Sequence, residues 1–228
     1  MLQEILDRGY SEQSKQFILD DGMFHYVDPL NTSITTVPDR RLFVLEGLPG
    51  AGKTFIKNAF GKNDSFDVVD QILPNNPDND KNLTLEDIFR SDETKTQVFK
   101  SSKRSNVIFD RYYVSTLAYS WAHDKIFKTN IYEKTITWYE HSLKSGRLIK
   151  PFIVFVIEIP IDFAFSRKDR IPNSDSSNPW MRTDFLEQFI AYYQYFYTDI
   201  EKKTNVIKID GTKPLKEIIK QIHQYEKK

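Results

Sequence analysis

A glycine-rich segment near residue 50 has the spacing of a phosphate-binding loop. It runs from Gly47 to Thr54 as GLPGAGKT and satisfies G-x-x-x-x-G-K-[ST], between a predicted strand and a predicted helix over Phe55 to Phe60. Its glycines let backbone N–H groups turn toward an anion, Lys53 adds positive charge at the β- and γ-phosphates, and the Thr54 hydroxyl suits Mg²⁺. A strand-to-helix turn that binds nothing is the alternative. The predicted nucleotide-binding residues are Gly47, Gly50, Ala51, Gly52, Lys53, Thr54 and Phe55.

A second candidate for metal binding is Asp110. It ends the apolar segment Asn106 to Asp110, which places a carboxylate at the carboxyl end of a predicted strand. A carboxylate there is suited to holding a magnesium-bound water, and an aspartate in that position is also suited to capping the helix that follows. The two interpretations are compatible, and we expect Thr54 and Asp110 to be the protein ligands of magnesium.

Five short β-rich segments are predicted to position these residues. Most are continuously apolar, which is typical of strands covered by helices on both faces, and helix-compatible stretches separate them. This order predicts a three-layer α/β fold of the P-loop NTPase type, with a five-stranded parallel sheet and helices on both faces. The predicted strands are Arg41 to Gly47, Phe66 to Asp70, Asn106 to Asp110, Phe152 to Ile159 and Asn205 to Gly211.

Composition excludes several classes of protein. The 228 residues carry 32 Lys plus Arg against 32 Asp plus Glu, and this neutral total argues against a protein that coats nucleic acid or a polybasic membrane binder. There is no cysteine, which excludes disulfides and thiolate metal sites.

The longest apolar run, Phe152 to Ile161, is far shorter than the ~20 residues of a membrane span. The N-terminus lacks the pattern of a signal peptide, so we expect a cytoplasmic protein.

The segment after the predicted third strand narrows the class. Residues 110–120 read DRYYVSTLAYS, which resembles the D-R-Y-x-x-S-x-x-A-Y signature of the thymidylate kinase family. The resemblance extends from about Arg41 to the end of the chain, and it is strong at this signature and at the glycine-rich loop. Residues 1–40 are foreign to the family and are predicted to form a helical appendage to a kinase domain over residues 41–228.

The resemblance implies roles for individual residues. Arg111 would bridge the donor and acceptor phosphates, Asp110 would organise magnesium and Tyr119 would lie beside the sugar of the acceptor. Arg90 lies where the family places the arginine that reads the acceptor base, although a core Phe89 beside a surface Arg90 is the simpler interpretation. The resemblance also implies ATP and Mg²⁺ as cofactors and a homodimer.

A lid is implied around residues 166–183. By the resemblance its arginines, Arg167 and Arg170, would close over the transferred phosphoryl group and act in catalysis with Lys53, Asp110 and Arg111. Converging cations are what phosphoryl transfer requires, because charge on the transferred group must be neutralised. The alternative is an exposed helix face on which these arginines make ordinary ion pairs, including one with Asp169.

The chain departs from the family at two places that concern the acceptor. Pro49 stands where the family's loop normally has an acid that contacts the acceptor sugar. The second predicted strand leads into Asp70 and Gln71, with no arginine matching the family's Arg-Glu-Pro segment. Losing a phosphate-binding arginine there fits an acceptor with less negative charge, and Asp70 is then a candidate base, as in deoxynucleoside kinases.

These patterns together predict an ATP- and Mg-dependent phosphotransferase that acts on a small molecule, without nucleic acid or membrane partners. The acceptor implied by the family is a nucleoside monophosphate, and a nucleoside or another hydroxyl compound is the alternative. A nucleotide-binding sensor that has lost transfer is the alternative from another class. The Tyr-rich stretch over residues 192–197 is interpreted as core packing with hydroxyls at the rim.

Overall fold

Parallel strands alternate with helices throughout the part of the chain that the computed structural model describes, which is residues 40–62, 65–70, 84–168, 171–200 and 206–226. Apart from Arg40, the predicted N-terminal appendage lies outside these residues, as does Arg170 of the predicted lid. The five strands form one sheet in the order β2-β3-β1-β4-β5, and every pair is parallel. They are β1 (Arg41–Gly47), β2 (Phe66–Val69), β3 (Asn106–Asp110), β4 (Ile153–Glu158) and β5 (Val206–Asp210).

Helices cover both faces of the sheet. On one face α1 packs against α7, where the ring centroids of Phe60 on α1 and His223 on α7 are 4.9 Å apart. On the other face α3 packs against both α4 and α6, and Phe89 of α2 stacks on Trp138 of α4. The helices are α1 (Lys53–Phe60), α2 (Leu85–Ser101), α3 (Tyr113–Phe127), α4 (Tyr132–Lys144), α5 (Ile161–Ser166), α6 (Thr183–Ile200) and α7 (Leu215–His223), with a 3₁₀ turn at Pro179–Met181. The three-layer parallel α/β fold predicted from the sequence is confirmed.

Local sequence explains why these elements begin where they do. The start of α2 has a reciprocal cap, in which the Thr84 side chain accepts from the Asp87 amide and the Asp87 carboxylate accepts from the Thr84 amide.

Strands β1, β3 and β4 are apolar on both faces and almost wholly buried. Their aromatic side chains fill the space between sheet and helices, with Phe43, Phe109 and Phe155 completely buried. Burial on both faces accounts for the continuous apolar runs.

The register of the strands brings the candidate site residues to one edge of the sheet. Leu45 of β1 lies opposite Asp110 of β3, and Gly47 of β1 lies opposite Ile157 of β4. The residues that follow these pairs therefore emerge together at the carboxyl ends of the strands. No helix among the described residues is both long and apolar enough to cross a membrane.

Candidate active site

The phosphate-binding loop is built on three glycines with left-handed backbone angles. Strand β1 ends at Gly47 and α1 begins at Lys53, two residues earlier than predicted, and the loop between them curls with φ of 129° at Gly47, 88° at Gly50 and 90° at Gly52. The first helical bond joins the Ile56 amide to the Gly52 carbonyl at 3.1 Å. The N–H groups that come before this bond have no carbonyl acceptor within α1. They lie at the positive end of the helix, where an anion is bound favourably.

Gly47 offers a test of how tightly the loop is built. A methyl group there would lie 2.4 Å from the Ile157 carbonyl oxygen. We expect Gly47→Ala to lower the free energy of unfolding by about 3 kcal/mol, because strain and a backbone clash add together. Gly61→Ala is the matched control, since φ there is −64° and the nearest atoms are 3.6 Å away. It should change stability by no more than about 1 kcal/mol. Equal losses for both variants in urea unfolding would contradict this prediction.

Lys53 lies inside the loop and is 6% exposed. Its ammonium donates to the Gly47 carbonyl at 3.0 Å and to the Leu48 carbonyl at 2.8 Å. An ammonium has three donors, and these bonds use two of them. Burial lowers the pKa of Lys53 well below its ordinary value, and the nearby charge of Arg111 adds to this effect. The side chain is thus held at the loop by backbone carbonyls and is little screened by solvent.

The predicted magnesium ligands, Thr54 and Asp110, suit that ion at a phosphate-binding site. Thr54 is exposed in the first turn of α1, and Asp110 is half-buried at the end of β3. The described residues contain no cluster of three or more His, Cys, Asp or Glu that would form an all-protein metal cage. At sites of this kind magnesium is bound by one or two protein oxygens together with phosphate oxygens, so two protein ligands are sufficient. Among the other loop residues, Ala51 is buried, and the Phe55 side chain is exposed.

Arg111 follows Asp110 and has a backbone conformation that is unusual for its residue type. Its φ is 61°, its amide donates to the Leu45 carbonyl at 3.0 Å, and its Nη1 donates to the Ser115 hydroxyl at 2.9 Å. Arg111 therefore leaves β3 beside the end of β1, next to the glycine-rich loop. The structure thus brings Lys53, Asp110 and Arg111 to one edge of the sheet.

Glu46 is a charged residue of this edge that the sequence analysis missed. It immediately precedes Gly47, is completely buried, and accepts hydrogen bonds from the Tyr112 amide at 3.0 Å, the Tyr193 hydroxyl at 3.0 Å and the Ser115 hydroxyl. Burial raises the pKa of Glu46, and the Arg111 charge and these hydrogen bonds oppose the rise. The Tyr193 hydroxyl is buried with it, so the expectation that the tyrosine hydroxyls lie at the rim is wrong for this residue.

Lys95 is a second charged residue that the sequence did not reveal. It comes from α2, is 1% exposed, and donates to the carbonyls of Asp110 at 3.1 Å and Arg111 at 2.8 Å. Asp92, one turn earlier, lies 3.7 Å from the ammonium and accepts from the Tyr139 hydroxyl at 2.7 Å. Burial lowers the pKa of Lys95 and raises that of Asp92 to about 6.

The predicted lid contributes Arg167 to the loop. Its Nη1 donates to the Gly50 carbonyl and its Nη2 to the Gly211 carbonyl, both at 3.2 Å, so it joins the loop to the chain that follows β5. The neighbouring Lys168 adds positive charge that contributes to lowering the pKa of Lys53. In the rest of the lid, Trp180 packs against Tyr119 with ring centroids 5.6 Å apart. Arg182 makes a two-pronged ion pair with Asp184, at 3.0 and 2.6 Å.

The predicted acceptor residues occupy different surroundings. Asp70 directly follows β2, whose Val69 lies opposite Phe109, so Asp70 emerges beside Asp110 and makes an ion pair with Lys57. Tyr119 is half-buried among the rings of Trp180, Phe185 and His123. Arg90 is not brought to the phosphate loop. It lies on the exposed face of α2, opposite the buried face that carries Lys95, and lines a surface depression with Glu93, Thr94, Gln97 and Arg147.

Comparison with known proteins agrees with the resemblance in the sequence. Residues 68–222 match the family model described as thymidylate kinase, a range that begins after the glycine-rich loop. A deoxyadenosine kinase from M. mycoides, solved with dCMP and dCDP, is similar at 17% identity and a TM-score of 0.62, covering 82% of this chain and 98% of its own. The same enzyme with dATP gives 18% identity and a TM-score of 0.59, over 82% of this chain and all of the other.

A third similar structure is the thymidylate kinase of Candida albicans, at 14% identity and a TM-score of 0.50, covering 82% of this chain and 90% of its own. No curated protein matches the chain. At these identities the structural similarities establish the shared fold, while the family match rests on the sequence.

Proposed function

The chain belongs to the thymidylate kinase family, whose model matches its residues 68–222, and from that premise we propose which donor and acceptor it uses. It is a nucleoside or nucleotide kinase. We propose ATP with Mg²⁺ as the donor and a hydroxyl group of a deoxynucleoside as the acceptor. A deoxynucleoside monophosphate, the acceptor of the family's namesake, is the second candidate.

The observation that carries the choice of acceptor is the location of Asp70. Strand register brings the backbone of Asp70 beside that of Asp110 at the carboxyl edge of the sheet, and Gln71 follows it where the family has an arginine for the acceptor phosphate. Pro49 also removes the acid that the family uses at the acceptor sugar. An acceptor site that has a carboxylate and lacks a phosphate-binding arginine suits a neutral hydroxyl group, because that hydroxyl must lose a proton during transfer. The deoxyadenosine kinase of M. mycoides is a similar structure whose name indicates such an acceptor.

The transfer that we propose uses the residues of this edge as follows. The acceptor oxygen forms a bond to the γ-phosphorus of ATP while the bond from that phosphorus to the β,γ-bridging oxygen breaks, so that ADP leaves. The proton of the acceptor hydroxyl passes to Asp70. Lys53 and the loop amides bind the β- and γ-phosphates, and Arg111 neutralises charge on the transferred group.

Magnesium and the lid complete the proposal. Thr54 and Asp110 would hold the metal, which would supply positive charge to neutralise the phosphates. Arg167 would move from its carbonyl partners at Gly50 and Gly211 to the phosphates as the lid closes. Arg170, which lies outside the described residues, would add a second positive charge. Closure of this kind excludes water and so suppresses hydrolysis of ATP.

An acceptor screen tests the proposed function. The purified chain is incubated with ATP and magnesium chloride and with one deoxynucleoside or one deoxynucleoside monophosphate at a time, and ADP formation is measured. We expect ADP to form with at least one deoxynucleoside, and chelation of magnesium to stop it. ADP formation with monophosphates alone would favour the second candidate. Tight ATP binding without ADP formation with any acceptor would contradict both candidates and indicate a nucleotide sensor.

The same assay with Asp70→Asn tests the proposed base. Loss of the carboxylate is expected to lower kcat with the best deoxynucleoside by about a hundred-fold, the lower end of the range for general-base catalysis. Glu217→Gln is the matched control, since Glu217 is an exposed carboxylate on α7. A similar rate for Asp70→Asn and the unaltered chain would show that Asp70 is not the base.

A further inference from the structure

Arg111 has a backbone conformation that its own residue type does not favour. Among the described residues only Arg111 and Lys128 are non-glycine residues with positive φ. Lys128 caps the C-terminus of α3, and left-handed residues are common at that position of a helix. Arg111 lies instead between β3 and α3, and such a strained conformation persists only where the surrounding structure imposes it. Other groups must therefore hold the segment 110–112 in place.

Lys95 holds this segment from the side of α2. Its two backbone bonds go to the Asp110 carbonyl at 3.1 Å and the Arg111 carbonyl at 2.8 Å, which are the carbonyl groups on either side of the Arg111 α-carbon. Its counter-ion, Asp92, is farther away at 3.7 Å. The closest contacts of this buried ammonium are therefore made with backbone oxygens of the catalytic segment. A buried charge is an expensive means of stabilising a fold, because an apolar replacement is often neutral.

Glu46 holds the same segment from the side of β1. Its carboxylate accepts from the Tyr112 amide and from the Ser115 hydroxyl, and Ser115 in turn accepts from Nη1 of Arg111 at 2.9 Å. Tyr193 of α6 donates to the same carboxylate. Glu46 thereby fixes both the backbone that follows Arg111 and, through one hydroxyl, the guanidinium itself. Gly47 is the next residue, so Glu46 lies at the start of the glycine-rich loop and also holds the segment that carries Arg111.

We propose that Lys95 and Glu46 are positioning residues that together impose the left-handed conformation of Arg111 and aim its guanidinium at the transferred phosphoryl group. The proposal rests on the role given to Arg111 under the proposed function. Both side chains are buried. They act through the peptide groups and the hydroxyl that surround Arg111.

Kinetics of substituted enzymes test the proposal. Lys95→Met keeps the length of the side chain and removes the ammonium, and Glu46→Gln keeps the shape and removes the charge. We expect each to lower kcat by about ten- to a hundred-fold through misplacement of Arg111, with KM for ATP changed by less than about threefold. Lys100→Met is the matched control, because Lys100 lies on the same helix and also donates to a carbonyl, that of Gly146 at 3.0 Å. It should leave kcat within about twofold of the unaltered enzyme.

A double-mutant cycle separates positioning from a structural role. Arg111→Lys keeps a cation and a measurable rate. If Lys95 acts through Arg111, adding Lys95→Met to Arg111→Lys should cost far less than it costs in the unaltered enzyme. Losses that multiply, as for two independent sites, would overturn the proposal. A fall in kcat that follows only a fall in thermal stability would overturn it as well.

A spectroscopic measurement tests the proposal without any acceptor, so that a failure of the proposed function is recognised separately. The Nε–Hε signal of Arg111 in a ¹⁵N-arginine NMR spectrum is assigned by its absence from Arg111→Lys. We expect this signal to shift or broaden in Lys95→Met and Glu46→Gln and to stay unchanged in Lys100→Met. An unchanged signal in the first two variants would overturn the positioning role, whatever the acceptor screen shows.

Discussion

Replacing Arg111 with alanine is expected to lower kcat by about 10³- to 10⁵-fold, the range known for arginines that stabilise the transition state of phosphoryl transfer. The backbone and the side chain of Arg111 are both held at the carboxyl edge of the sheet, by Lys95, Ser115 and the Leu45 carbonyl. Steady-state ADP formation with the best acceptor measures the loss. The affinity for ATP should change far less than kcat, because the charge on the transferred group is greatest in the transition state.

The fold should survive this substitution. Without Arg111 the Ser115 hydroxyl keeps its bond to Glu46, and the Tyr112 amide keeps its own. Arg147→Ala is the matched control, since Arg147 is exposed and pairs with Glu93 at 3.4 Å, on α2. Its kcat should be that of the unaltered enzyme. Turnover by Arg111→Ala within about tenfold of the unaltered enzyme would remove Arg111 from the proposed catalytic set, since that loss is far below the range for such arginines.

Replacing Lys53 with alanine is expected to lower kcat by about 10²- to 10³-fold, which is typical of removing one preorganised electrostatic contact. Lys53 is 6% exposed and its ammonium is fixed by the Gly47 and Leu48 carbonyls, so solvent and salt screen its charge little. The substitution also removes the donors of these two carbonyls. We therefore expect weaker ATP binding in addition, measurable by calorimetry.

Two comparisons isolate the charge of Lys53 from its bulk. Lys53→Met fills most of the same space and should lose as much turnover as Lys53→Ala while keeping more of its thermal stability. Lys134→Ala removes an exposed lysine that pairs with Glu86, outside the candidate site, and should leave turnover unchanged. If Lys53→Met were fully active, the positive charge at this position would have no part in transfer.

The sheet was predictable from the sequence because its signals are local. The strands predicted at Arg41 to Gly47 and at Asn106 to Asp110 have those bounds in the structure, and the other three differ by one residue at one or both ends. In each case a short apolar run between polar segments indicates a strand that is covered on both faces. The glycine-rich loop was equally clear, since its residues and flanking elements are consecutive.

The charged residues that surround Arg111 were not predictable in the same way. Lys95 lies in the polar stretch SDETKTQ, where nothing distinguishes it from the exposed lysines of other helices. Its burial depends on carbonyl groups of residues 15 and 16 positions later. Glu46 did carry a signal, because an acid inside an apolar run that is buried on both faces must be paired. Its partners, however, lie 66 to 147 positions away.

The prediction for Arg90 rests on spacing alone. The family's interval to Asp110 placed this arginine at the acceptor, whereas the helical turn puts it on the exposed face of α2. Its neighbour Phe89 is buried and stacks on Trp138 with ring centroids 4.1 Å apart, as a core residue does. The role of Arg90 in reading the acceptor stays a prediction.

The position of β1 at the centre of the sheet has a consequence for synthesis on the ribosome. The phosphate-binding loop is the first functional motif of the described chain to be made, yet its partners come late. Arg167, which bonds Gly50, is 117 residues downstream, and Tyr193, which bonds Glu46, is 147 residues downstream. At about 5–20 residues per second, the loop waits about 7 to 30 s for the last of these contacts. The nascent chain therefore carries an incomplete site, which lacks its Tyr193 contact until another 147 residues have been translated.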